Sequence, residues 1–123
     1  MSKAIWPCAI FALAFGAAAA TAKPPPKTNE LVALGRRSYN IWCAACHGET
    51  GAGDGSAAQK LDPRPRSFAK EKFKQGSRVD QIFNTIATGV PGSAMTNFRN
   101  LPEQERWGLA YYVLELRAKS KGK

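Results

Sequence analysis

The chain has 123 residues, of which 44% are hydrophobic, and a formal net charge of +9. This length limits it to one domain with room for one modest hydrophobic core. A basic excess of this size is typical of proteins that bind nucleic acid, an anionic membrane surface or an acidic protein partner.

The first 22 residues have the pattern of a secretory signal peptide. Lys3 supplies the positive start, residues 4–20 form an apolar run, and positions 20–22 read A-T-A, an A-x-A cleavage signal. A retained membrane anchor is the alternative, but the run is short for a bilayer span of about 20 residues. We therefore expect export to the periplasm, no stable membrane insertion after cleavage and no binding to nucleic acid. Cleavage removes Cys8 and Lys3, which lowers the net charge from +9 to +8.

The rest of the chain is predicted to be all-α, with three main helices joined by loops. Residues 23–28 contain three consecutive prolines, which make a stiff, extended leader with little order of its own. A first helix is predicted from Asn29 to Cys43, capped by Thr28 or Asn29. Four glycines within residues 48–55 indicate a loop there.

Two prolines keep residues 61–73 irregular. A second helix is predicted after Ser77, with Ser77 and Asp80 as a capping box, and it ends at Gly89. The periodicity of its apolar residues is that of a helix with one buried face.

A second loop, residues 89–100, contains Met95. The last helix is predicted to open with Pro102 at its first position. The domain is expected to span residues 29–119, followed by a basic tail at residues 120–123.

Residues 43–47 read C-A-A-C-H, the C-x-x-C-H signature of c-type haem attachment. The spacing suits the chemistry, because two thiols one helical turn apart can add across the two vinyl groups of a single haem. The residue that follows, His47, is then aimed at the iron as its proximal ligand. Cys43, Cys46 and His47 are thus predicted to hold one haem c.

Two other interpretations of the cysteine pair are weaker. A thioredoxin-type redox motif needs a βαβ setting, and no strand pattern is present. A structural zinc site needs four ligands, whereas the chain that remains after cleavage has only three Cys and His residues.

Met95 is the candidate for the second iron ligand. It is the only methionine left after cleavage, and it lies in a loop that contains glycine and proline instead of on an apolar helix face. A thioether opposite histidine raises the reduction potential of a haem. The alternative is that Met95 only fills space in the core.

With these residues, the chain resembles a class I cytochrome c, a monohaem, His/Met-ligated family with bacterial members, over nearly all of residues 29–119. The first helix of the family has a small residue, an aromatic residue and the first haem cysteine at intervals of four, as Gly35, Tyr39 and Cys43 have here. Positions in the last helix that match the family are Leu109 and Tyr112.

The two loops resemble the family as well. Residues 48–55 are similar to the loop that follows the haem motif in bacterial members, and residues 88–92 are similar to the start of their methionine loop. Many members have a proline after the methionine ligand, where this chain has Thr96.

The resemblance implies further contacts around the cofactor. A proline carbonyl is expected to accept a hydrogen bond from Nδ1 of His47, and either Pro63 or Pro65 could supply it. Arg64 and Arg66 could pair with the haem propionates, although solvated loop charges are the alternative.

Filling of both axial positions would leave no site for a substrate, so the expected role is that of an electron carrier and not an enzyme. Six large side chains are expected to surround the haem: Trp42, Phe83, Ile86, Phe98, Trp107 and Tyr112. A basic segment, residues 70–78, is expected to meet redox partners with acidic docking surfaces.

Three functions fit this pattern. The first is a soluble carrier between respiratory or dehydrogenase complexes, monomeric in solution. The second is an electron-transfer subunit bound permanently to a dehydrogenase or oxidase complex. The third is a haem ligand sensor or peroxidase in which Met95 leaves the iron.

Overall fold

The computed structural model describes residues 22–122. The elements in chain order are α1 (Asn29–Trp42), α2 (Ala44–His47), a 3-10 turn (Ala58–Lys60), α3 (Val79–Thr88) and α4 (Glu103–Lys121). The described residues contain no β-strand, which confirms the all-α prediction. Of the predicted signal peptide, residues 1–22, only Ala22 is described. Within residues 22–122, no helix combines the length and the apolar character that crossing a membrane requires.

Helices α1 and α4 cross at two glycines. A Cβ atom placed on Gly108 would lie 2.8 Å from the backbone nitrogen of Gly35, and a Cβ on Gly35 would collide with the backbone of Gly108. The two helix backbones therefore touch, with no side chain between them. The sequence predicted the small residue on α1 but not its partner on α4.

The predicted ends of α1 and α4 agree with the structure to within a few residues. Thr28 caps α1 as predicted, because its Oγ1 accepts a hydrogen bond of 3.1 Å from the N–H of Leu31. Helix α1 ends at Trp42, one residue before the predicted end. Pro102 is the residue that precedes α4 instead of its first residue, and α4 continues to Lys121, beyond the predicted boundary at residue 119.

The predicted capping box of α3 is wrong. Arg78, not Ser77, precedes the helix, and its N–H donates to Oε1 of Gln81 at 3.1 Å. The Asp80 carboxylate instead accepts two hydrogen bonds from the Arg78 guanidinium, at 3.0 and 2.8 Å. The helix begins one residue later than expected because the glutamine side chain, at the third helical position, is the one that reaches back.

The hydrophobic core lies between α1, α3 and α4. Phe83 of α3 stacks on Trp107 of α4, with ring centroids 3.8 Å apart and planes 12° apart. The guanidinium of Arg106 lies over the Phe83 ring, 4.6 Å from its centroid. Tyr39 of α1 and Leu109 of α4 are the largest fully buried side chains, and both line the cavity described below.

The proline-rich leader is attached to α4, contrary to the prediction of little order. The hydroxyl of Tyr111 donates a 2.6 Å hydrogen bond to the carbonyl of Pro25. Lys27 forms a 2.9 Å ion pair with Glu115 one helical turn further along. Both partners lie on α4, far away in the sequence, so the local composition of the leader could not reveal them.

Candidate functional site

The predicted attachment motif forms a single helical turn. The N–H groups of Cys46 and His47 both donate to the carbonyl of Cys43, at 3.2 and 2.9 Å. Positions three and four residues apart lie on the same side of a helix. The two sulfurs and the imidazole therefore face one space, and all three residues line the same cavity.

That cavity has a volume of about 560 Å³, within the usual size range of cofactor pockets. Its wall is mostly apolar, and Met95 lines it together with Cys43, Cys46 and His47. The fold thus brings all four predicted site residues to one space, although Met95 lies 48 positions after His47 in the sequence.

Cys43 and Cys46 are both free thiols, and both are half-buried. Burial raises the pKa of the Cys43 thiol to about 12, and the neighbouring Cys46 adds to the effect. The pair does not form a disulfide, so both sulfurs are available for covalent attachment of a group within the cavity.

The imidazole of His47 is held on two sides. Its ring stacks on Phe68, with centroids 4.8 Å apart and an angle of 29° between the planes. Nδ1 lies 3.4 Å from the carbonyl oxygen of Arg66, a long hydrogen bond in which Nδ1–H donates. Burial lowers the pKa of His47, which favours the neutral imidazole. With the proton on Nδ1, Nε2 carries the lone pair that a metal ligand needs.

The predicted carbonyl partner of His47, from Pro63 or Pro65, is corrected by this contact. The carbonyl oxygen of Pro65 faces the backbone of Gly53, where an added Cβ would collide with it. The carbonyl of the next residue, Arg66, is the one that reaches the ring. The predicted kind of contact is present, but it comes from the residue after the proline.

The glycine-rich loop, residues 48–55, folds back on the attachment motif. Gly53 and Gly55 donate backbone hydrogen bonds to the carbonyls of His47 and Cys46, at 2.9 and 3.1 Å. Tyr39 anchors the start of the loop by donating a 2.7 Å hydrogen bond to the carbonyl of Gly48. These contacts satisfy the carbonyls at the end of α2 that a helix of four residues leaves without partners.

Phe68 is the site residue that the sequence interpretation missed. It is 6% exposed, lines the cavity, and its N–H donates to the carbonyl of Gly51 at 2.8 Å. It lies in the irregular stretch after the prolines, where no helical or strand period marks the buried positions. No sequence signal therefore distinguished it from other loop residues.

The predicted group of six large side chains around the cofactor is only partly correct. Trp42, Ile86 and Phe98 line the cavity. The other three do not, because they pack between helices: Phe83 and Trp107 stack on each other, and Tyr112 packs edge-on against Tyr39.

Charged side chains stand at the rim of the cavity. Arg64 and Lys74 are exposed there. Arg66 also lines the cavity, but its guanidinium donates to the carbonyl of Lys72 and lies 3.6 Å from the Glu71 carboxylate. The positive charge of Arg66 is therefore partly balanced by Glu71. The guanidinium of Arg64 forms no ion pair with any of the described residues.

The donor set and the walls of this cavity fit a haem c. Two free thiols and a neutral imidazole lie on one helical turn, a thioether lines the same space, and apolar side chains surround them. No group of three or more His, Cys, Asp and Glu side chains among residues 22–122 is placed to hold a metal ion by itself. This arrangement fits iron held within a porphyrin better than a bare metal ion.

Comparisons with known proteins agree with this chemistry. A family profile described as "Cytochrome C oxidase, cbb3-type, subunit III" matches residues 30–113. Among solved structures, a chain of a reducing HAO-like protein complex from Kuenenia stuttgartiensis superposes with a TM-score of 0.71 and 31% sequence identity. The match covers 78% of this chain and 48% of that one, so the chain spans about half the length of its solved relative. No curated protein sequence matches the chain.

Proposed function

The chain belongs to the family of cytochrome c oxidase, cbb3-type, subunit III, a family of c-type cytochrome domains, and on that premise we propose that it transfers single electrons through one haem c. Membership of this family supports a role in electron transport through a haem iron. The observation that carries the finer proposal is that Cys43, Cys46, His47 and Met95 all line one apolar cavity. The haem iron, when bound, supplies the one-electron Fe(III)/Fe(II) couple.

The residues of the cavity have separate roles in this proposal. The sulfurs of Cys43 and Cys46 would hold the haem covalently, and Nε2 of His47 and Sδ of Met95 would coordinate its iron. The hydrogen bond from His47 to Arg66 fixes the ring orientation and strengthens the imidazole as a ligand. With both of these side chains as its ligands, the iron would exchange electrons and would offer no position to a substrate.

A basic surface on this protein supports the proposal that its redox partner is acidic. Lys70, Lys72 and Lys74 are exposed, and Lys74 also lines the mouth of the cavity. Arg78 adds less positive charge to this surface than its sequence position suggests, because Asp80 forms a 2.8 Å ion pair with it. We propose that the three lysines steer the protein toward acidic docking surfaces.

The compartment is also part of the proposal. The signal pattern in residues 1–22 supports export to the periplasm, where a respiratory chain would supply electron donors and acceptors. Amino-terminal sequencing of the protein isolated from periplasmic extract is expected to begin at Lys23. A chain that begins at Met1 in the cytoplasmic fraction would contradict this proposal.

A second candidate is an electron-transfer subunit held permanently in a complex. The solved relative is itself a chain of a protein complex, and this chain spans about half of its length. The size of the native protein in gentle cell extracts separates the two candidates. A carrier elutes at the size of one chain, whereas a subunit elutes with its complex.

Covalent haem attachment is tested by a haem stain after denaturing electrophoresis. The wild-type protein is expected to stain, and the double variant Cys43→Ala/Cys46→Ala is expected to lose the stain and to be largely unfolded, because so small a core is marginal without its cofactor. Ala45→Ser, an exposed change within the same motif, is the matched control and keeps the stain. A stained double variant, or an unstained wild type matured in cells that attach haem, would refute the proposal.

A further inference from the structure

A serine hydroxyl and a backbone hydrogen bond join the two ends of the loop that presents Met95. The Oγ of Ser93 donates to the carbonyl of Val90 at 2.7 Å and accepts from the N–H of Met95 at 3.2 Å. The carbonyl of Met95 accepts from the N–H of Val90 at 3.1 Å. Both backbone groups of Met95 are therefore engaged within residues 90–95, and the hydroxyl connects the two ends of that segment.

The two sides of the loop are anchored independently of this hydroxyl. The N–H of Gly89 donates to the carbonyl of Thr85 at 2.8 Å, which ends α3. Beyond the loop, the N–H of Phe98 donates to the carbonyl of Ile86 at 2.9 Å. Any opening of the loop is thus confined to the few residues between these anchors, which include Met95.

The backbone of this segment has two further restraints: the N–H of Ser93 donates to the carbonyl of Val90 at 3.2 Å, and Gly89 packs so closely that an added Cβ would lie 2.8 Å from the Met95 carbonyl oxygen. Gly92 has a φ of +75°, and a Cβ atom placed on it would meet nothing within 4 Å. The residue after Met95 is Thr96, whose φ is not locked as that of a proline would be. Among the side chains of residues 90–95, the Ser93 hydroxyl is the one that forms hydrogen bonds across the segment, so a single substitution can remove this restraint.

We propose that Ser93 is the positioning residue for Met95, and that its hydroxyl sets how often the methionine leaves the iron. This inference rests on the proposed ligation by His47 and Met95. Ser93 lines the cavity beside Met95, but it is not proposed as an iron ligand. It acts through the backbone of Met95, by making the closed loop the favoured state.

The open fraction of the loop can be measured with imidazole. Added imidazole takes the iron position that Met95 leaves, so its apparent dissociation constant falls in proportion as the open fraction rises. Ser93→Ala removes two hydrogen bonds, each of ordinary strength. We expect it to tighten imidazole binding to the oxidised holoprotein by about tenfold, in line with the usual contribution of such bonds.

A matched pair separates the hydroxyl from the shape of the side chain. Ser93→Thr and Ser93→Val have nearly the same shape, but only threonine keeps the hydroxyl. The threonine variant is expected to bind imidazole as the wild type does, and the valine variant as Ser93→Ala does. The long-wavelength absorption band of methionine-bound oxidised haem is recorded for each variant, and its intensity should fall only where the hydroxyl is lost. Ser56→Ala, an exposed change in another loop, controls for serine substitution in general.

Met95→Ala distinguishes failure of this inference from failure of the proposed function. If Met95 is the ligand, this variant binds imidazole much more tightly than any Ser93 variant and, when reduced, binds carbon monoxide. If Met95→Ala behaves as the wild type does, the proposed ligation is wrong, and the inference falls with it. If Met95→Ala behaves as expected but Ser93→Ala keeps the wild-type affinity, or the valine and threonine variants agree, only the role of Ser93 is refuted.

Discussion

Tyr39 links three parts of the protein through one side chain. It is fully buried, and burial raises the pKa of its hydroxyl, which therefore stays protonated and donates to the carbonyl of Gly48. Its ring packs edge-on against Tyr112 of α4, with centroids 5.3 Å apart, and against Phe68 at 6.4 Å. The first helix, the glycine-rich loop and the last helix are thereby held around the attachment motif.

We expect Tyr39→Phe to lower the free energy of unfolding by about 1 kcal/mol, because the buried carbonyl of Gly48 loses its 2.7 Å hydrogen bond and keeps only the 3.3 Å one from the N–H of Gly51. Denaturant unfolding of the holoprotein measures this. The matched control is Tyr112→Phe, a change in a ring of the same cluster whose hydroxyl makes no hydrogen bond to residues 22–122; it is expected to cost less than about 0.5 kcal/mol. Equal losses in the two variants would show that the hydrogen bond is not the cause.

At this scale the sequence predicted the residues whose chemistry depends on spacing. Cys43, Cys46 and His47 follow from five contiguous positions, and Met95 from being the one methionine outside the signal region. Phe68 and the carbonyl of Arg66 were not predicted, because a contact made by an irregular loop leaves no period in the sequence. The two attachment sites and the two iron ligands themselves stay predictions; the structure shows that these four residues share a cavity.

At the scale of helices, the crossing of α1 and α4 determines the shape of the site. Gly35 and Gly108 allow the two backbones to meet, and this contact places Tyr39 of α1 against α4. Capping and periodicity were sufficient to locate the three long helices to within a few residues. They were insufficient for the start of α3 and for the leader, since Gln81 and Tyr111 act through side-chain contacts that no local pattern reveals.

Gly35→Ala is expected to destabilise the protein by about 1–3 kcal/mol, the usual cost of overpacking, because the new methyl group would collide with the backbone of Gly108. Alanine favours helix over glycine by roughly 1 kcal/mol, so a net loss would identify the crossing as the cause. Gly122→Ala is the control, since its nearest neighbours would lie at an ordinary 3.8 Å. A stabilised Gly35→Ala variant in denaturant unfolding would mean that the two helices do not cross this closely.

For the whole molecule, part of the basic surface borders the cavity. The chain is basic overall, and Lys74 stands both in the exposed basic segment and at the mouth of the cavity. A partner drawn to the lysines would therefore arrive near the cofactor. Composition predicted the sign of the net charge, but only the fold shows that part of the charge borders the cavity and that Arg78 is paired with Asp80.

We expect electron transfer to a native partner to slow steeply between low and moderate salt, because steering fades as the Debye length falls below about 10 Å. Stopped-flow rates measure this. Reversing Lys72 and Lys74 to Glu should slow the reaction at low salt and leave the absorption spectrum unchanged. The control reverses Lys119 and Lys121, which changes the net charge equally but at the end of α4. Equal slowing by both pairs would assign the effect to net charge and not to this surface.

The central claim is that one haem, with both axial positions filled by the protein, exchanges one electron at a time. A potentiometric titration of the purified holoprotein, followed by its absorption spectrum, tests it most directly. We expect a single reversible transition with the slope of a one-electron couple, between two low-spin, six-coordinate states. A high-spin reduced spectrum, or a transition that requires more than one electron, would contradict it.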